Sequence, residues 1–200
     1  MQQVKETSEL YGRLENTITQ VRCLERLTLL LLDDGQLDAA EDATSHTFDL
    51  ISEKGHEHLS CQSHHYLSKI YHHKGEKAIH HFKIALDTAS TFDWRDQLFS
   101  IHCDLAPLFL DERSFNDALA HVEQAKFQTT EDRFFLGFAM VVQARVLYQQ
   151  RMFEDSKSEA LGALGIFEKL GAAKRAAFCR DIIRNYRKRV YQYPVVSFRT

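Results

Sequence analysis

Small and apolar residues recur along this chain at helical spacing, and the spacing itself repeats. Residues 67–86 show the unit most plainly. Ser68 precedes Tyr71 by three, Gly75 marks a turn, and Ala78, Phe82 and Ala85 follow at i, i+4 and i+7. The small residue of the first helix recurs as Thr28, Ser68, Ala106 and Ala144, spaced 40, 38 and 38. Three residues on stand Leu31, Tyr71, Phe109 and Leu147. The second helix opens on Ala40, Ala78, Ala118 and Ser156, spaced 38, 40 and 38. Four further on come Thr44, Phe82, Val122 and Ala160, and seven further on Thr47, Ala85, Ala125 and Ala163. Turns are expected at Asp34-Gly35, Lys74-Gly75, Glu112-Arg113 and Gln150-Arg151.

Two helices in a hairpin approach closely only where a small side chain sits at the crossing, and the large residue one turn away fills the space beside it. Each hairpin is apolar on more than one face, so stacking the next hairpin covers what one alone leaves open. The pattern predicts an all-α chain: a right-handed superhelical solenoid of helical hairpins, forming a single repeat domain over residues 1–190. Residues 1–15 read as the second helix of a repeat without its first. Hairpins follow at 18–53, 58–90, 97–127 and 134–169, then a capping helix at 172–190 and a tail at 191–200. The connectors are short and polar, and no domain boundary is read in them. Pro107 falls inside the first helix of the third hairpin, where it removes a backbone bond and favours a kink.

These positions resemble the tetratricopeptide repeat. The match is good over residues 64–86 and partial in the other three units. The family's closing proline is absent, and its opening tryptophan is replaced by Leu24, His64, His102 and Met140. The period exceeds the usual one of about 34, which resembles the extended-helix MalT-like variants. Residues 20–185 also look like the C-terminal repeat arrays of basidiomycete NACHT- or AAA-type signalling proteins. The resemblance implies a protein-binding scaffold whose first helices line a concave groove. Carried over by position, that lining includes Arg22, Glu25, Leu29 and Leu32; Gln62, His65, Lys69 and His72; Ser100, Cys103, Pro107 and Leu110; and Phe138, Val141, Arg145 and Tyr148. The Lys/Asn/Arg clamp that grips chaperone C-termini is missing from these places, so chaperone binding is not implied. Lys69 and Arg145 can meet acidic groups of a peptide or helix, and Leu and Val can hold an apolar side chain.

Composition narrows the classes further. With 200 residues, 8 Gly and 2 Pro, the chain lacks the frequent turn residues of an all-β fold. A net charge of −3 gives no general pull toward nucleic acid or an anionic membrane. The longest apolar run, Leu27 to Leu32, is six residues, against the roughly 20 needed to span a bilayer. No secretory signal is read at the N-terminus. Cys23, Cys61, Cys103 and Cys179 form no CxxC pair, and the first three are expected in the first turns of equivalent helices. Four reduced thiols fit a cytoplasmic protein. No GxSxG, P-loop or GxGxxG sequence occurs, so the chain reads as non-enzymatic, without cofactor or catalytic residue.

Three features suggest other chemistry. Eight of eleven histidines lie between 56 and 81. Cys61 and His65 form an i, i+4 pair of the kind that ligates zinc, with His72 or His73 two turns on, but no zinc-site grammar supports it; a solvated polar face with His64 half-buried, or a pH-responsive unit, are the other readings. The last helix carries Lys174, Arg175, Arg180, Arg184, Arg187, Lys188 and Arg189 beside a Phe178, Ile182, Tyr186 stripe. It reads first as a cap with its charges in water, and alternatively as a strip for nucleic acid. Finally, Val4, Leu10, Tyr11 and Leu14 of the half-repeat have no upstream helix to cover them, which offers a self-association surface and fits a piece of a longer chain.

Overall fold

The fold was taken from a computed structural model, which describes residues 6, 9, 12, 16–51, 55–129 and 132–185. The expected N-terminal half-repeat with Val4, Leu10, Tyr11 and Leu14, the basic residues beyond Asn185, and the tail all lie outside the described residues, apart from helical Glu6, Glu9 and Gly12. Among the described residues the chain is all-helical, with nine principal helices: α1 (Thr17–Asp33), α2 (Leu37–Ile51), α3 (Glu57–Lys74), α4 (Ile79–Thr91), α5 (Arg95–Asp111), α6 (Phe115–Gln128), α7 (Arg133–Gln149), α8 (Phe153–Lys169) and α9 (Ala173–Asn185). Their bounds follow the predicted hairpins closely. The chain divides into two compact units, residues 1–94 and 95–200, parted at a connector where the sequence shows no boundary signal.

In the first unit α1 pairs with α2 and α3 with α4, and α3 packs on α1 and α2. In the second, α5 pairs with α6 and α7 with α8, α7 packs on α5 and α6, and α9 packs on α8. This is the consecutive packing of a helical solenoid. The crossings are built as the repeat requires. Thr28, Ser68, Ala106 and Ala144 on the first helices, and Ala40, Ala78, Ala118 and Ser156 on the second, are at most 1% exposed. A larger side chain at any of them would push two backbones apart. Two polar side chains bond from one helix of a hairpin to the other. Ser156 donates its hydroxyl to the Ala144 carbonyl, and Cys61 donates Sγ–H to the Ala85 carbonyl at 3.3 Å.

The four turns share one backbone solution. Gly35, Gly75, Arg113 and Arg151 all take positive φ, at 74°, 74°, 59° and 64°. In each the next residue's N–H reaches back to the large apolar position: Gln36 to the Leu31 carbonyl at 2.9 Å, Glu76 to Tyr71 at 2.8 Å, Ser114 to Phe109 at 2.8 Å and Met152 to Leu147 at 2.9 Å. This left-handed cap satisfies the last carbonyls of each first helix and aims the chain into the second.

Hairpins one and two are also joined by charge. Lys74 Nζ lies 2.6 Å from Asp38 Oδ1 and 2.6 Å from Glu41 Oε2, and Tyr71 donates to Glu41 Oε1 at 2.9 Å. These bonds hold the Glu41 carboxyl below its ordinary range and raise the Lys74 ammonium. Helix α5 runs unbroken through Pro107. The cysteines are all free. They fall in the second turns of α1 and α3 and the third of α5, one to two turns deeper than the first-turn placement read from the sequence.

Candidate partner-binding face

The predicted lining divides by exposure. In the first unit Arg22 is exposed, and Gln62, Lys69 and His72 are partly exposed. Glu25 and His65 are buried, at 8% and 5%. His65 lies against Tyr66 and Phe82, with ring centroids at 6.4 and 6.0 Å. Gln62 Nε2 donates to the Tyr66 hydroxyl at 2.8 Å. Glu25 Oε1 is buried with no hydrogen-bond partner. Burial lifts the Glu25 carboxyl to about 7 against the opposing pull of Arg22, and burial together with Glu25 pushes the Tyr66 phenol up. Thus part of this face is a packed polar nest.

In the second unit Pro107, Arg145 and Tyr148 are partly exposed, while Phe138 and Val141 are buried. The Phe138 ring meets Phe134 at 5.2 Å and Phe167 at 5.8 Å, and the Arg175 guanidinium sits 4.3 Å above it. So α9 covers the Phe138 position with its own side chain. Ala176, Cys179 and Ile182 of α9 are buried in the same core, with Phe178 and Ile183 packed beside them. Arg180 pairs with Glu168 at 3.0 Å and Arg184 with Asp181 at 3.6 Å. Burial lowers the Arg175 guanidinium. Cap packing therefore engages Arg175 with α7 and Arg180 with α8, while Arg184 pairs within α9 itself.

His58, His73 and His80 are exposed and His64 is half-buried, in line with the solvated-face reading of the sequence. Among the described residues no three His, Cys, Asp or Glu side chains come together to hold a metal ion. Instead His64 on α3 faces His81 on α4 with Nδ1 atoms 3.0 Å apart, and His102 on α5 faces His121 on α6 at 2.9 Å. Burial pushes the His64 and His102 imidazoles down to about 4, helped by the facing rings, and lowers His81 and His121 as well. The sequence carried a signal for these pairs that its reading overlooked. His102 stands 38 residues after His64 and His121 40 after His81, the same offsets as the small crossing residues.

Among the described residues no helix is long and apolar enough to cross a membrane. No protein-family model matches the chain, and no curated protein matches it. Among solved structures, BtubC (BKLC) from P. vanneervenii is similar, with a TM-score of 0.68 over 98% of this chain and 92% of that one. At 16% identity the likeness shows a shared helical repeat-like fold.

Proposed function

We propose that this chain is a non-enzymatic protein-interaction module of tetratricopeptide type, holding an acidic or amphipathic peptide or helix on the first-helix faces. Its place is in the cytoplasm, as a scaffold or as the interaction part of a larger signalling ATPase assembly. The observation that carries this reading is the repeated hairpin itself. Eight crossing residues are fully packed to set the spacing of the hairpins, while Arg22, Lys69, His72, Arg145 and Tyr148 on the first helices keep part of their surface in water. Helix faces of this kind recognise partners through side-chain anchors at helical spacing. The four free thiols and the resemblance over residues 20–185 support the cytoplasmic and signalling parts of the proposal.

A random peptide library displayed on phage and selected on the purified chain tests it. Enriched acidic-apolar sequences that bind in solution, and lose about tenfold or more in affinity (about 1.4 kcal/mol) with Lys69→Glu or with Arg145→Glu, support it. No enrichment over a bare surface, or binding indifferent to both substitutions, overturns it.

A further inference from the structure

Two hairpins carry the same imidazole clasp. In each, a histidine of the first helix meets a histidine of the second through Nδ1, with ring centroids 5.3 Å apart for His64 and His81 and 5.1 Å for His102 and His121. In each, the aromatic residue at the repeat's large position lies against the second histidine. Tyr71 is 5.2 Å from His81, and Phe109 is 5.0 Å from His121. The first and fourth hairpins put Leu24 with Ala43 and Met140 with Glu159 at these positions. The clasp is thus a substitution made twice within one scaffold, at corresponding places, in two separate units.

An Nδ1···Nδ1 contact needs one ring to donate and the other to accept. A first proton is compatible with it, entering at the outer nitrogen of the donor ring. A second proton is not, because both inner nitrogens then carry hydrogen and face each other as like charges. The surroundings offer little to offset such charge. His64 is packed under Phe48 of α2, at 4.8 Å between ring centroids, and His80 of α4 stands beside His81 at 5.3 Å and would add positive charge of its own. From α3, Tyr71 meets His81 with a hydroxyl already committed to Glu41, whose other oxygen is taken by Lys74. At the second pair, Asp117 of α6 is the carboxylate acting on His121, and α5 presents Phe109.

We propose that the His64–His81 and His102–His121 pairs are acid-sensitive clasps, each closing its own hairpin at neutral pH and releasing it as the medium acidifies below about pH 6. The lowered imidazole basicities set the direction. The unfolded chain binds protons from about pH 6.5 downward, whereas burial holds His64 and His102 in the folded chain down to about 4 and lowers His81 and His121 as well, so stability is whole above that window and is lost as pH falls through it. The device regulates the scaffold and holds whether or not the first-helix faces bind a peptide.

The test replaces each clasp with the side chains that the first hairpin already uses: His64→Leu with His81→Ala, and His102→Leu with His121→Ala. Urea unfolding of the full chain is followed by circular dichroism at pH 7.5 and 5.0. The midpoint of the unmodified chain falls on acidification, each double substitution shrinks the fall, and the two together remove most of it. A fall of undiminished size in the combined variant overturns the proposal. An imidazole NMR titration of the unmodified chain needs no variant to fold. Pairs that take up fewer than two protons each above pH 5.5 support the clasps, and both imidazoles of a pair charging near pH 6.5 in the folded chain overturns them.

Discussion

The hydroxyls of Thr28 and Thr44 meet at 3.3 Å where α1 crosses α2. Thr44 donates onward to the Ala40 carbonyl at 2.8 Å, which leaves Thr28 to donate to Thr44. Both residues are at most 1% exposed. Thr44→Val keeps the shape but strands the Thr28 donor, and is expected to cost about 1–3 kcal/mol. Adding Thr28→Val removes the stranded group, so the double variant is expected to be more stable than Thr44→Val alone. Urea denaturation of the four-member cycle measures this coupling.

The left-handed turn residues give a second prediction. Arg113 and Arg151 hold a conformation that a Cβ disfavours, while Gly35 and Gly75 hold it freely at the corresponding places. Arg113→Gly and Arg151→Gly should each stabilise the chain by about 1 kcal/mol. Gly75→Ala should destabilise it by a similar amount, although a Cβ there would touch nothing. Thermal unfolding of the three variants checks the sign.

Helix-interior glycines separate space from propensity. A Cβ on Gly137 would lie 3.0 Å from Phe167 Cζ, in a ring 1% exposed, whereas one on Gly165 would meet nothing within 4 Å. Gly165→Ala is expected to stabilise by about 0.5–1 kcal/mol through helix propensity. Gly137→Ala is expected to lose more than that gain by displacing Phe167, at about 1–3 kcal/mol net. Denaturant midpoints of the pair decide it.

Glu25 predicts a pH effect opposite in sign to that of the histidine clasps. Its folded carboxyl titrates at about 7 against an ordinary 4.5. The folded chain therefore holds a proton that the unfolded chain has released, and stability falls as pH rises through this window. Glu25→Gln is expected to stabilise at pH 8 by about 1–3 kcal/mol, with the gain shrinking toward pH 5. Urea midpoints at both pH values test the slope.

Much of this molecule is legible along the chain, because hairpins answer to local rules. Ser68, Gly75, Ala78, Phe82 and Ala85 declare two amphipathic helices and their turn, and the same offsets place the other three hairpins to within a few residues. Burial of the small residues follows, since a crossing admits nothing larger. The candidate face was harder to read, because exposure at a helix position depends on what the neighbouring helix brings. Glu25 and His65 occupy lining positions but are packed in, and Arg175 reaches Phe138 from 37 residues away. The imidazole pairs join residues 17 and 19 apart on opposing helices. Periodicity could place each histidine on its helix. Only the packing of one helix against another could bring the two nitrogens together, since that contact depends on how far the two helices are turned and shifted against each other.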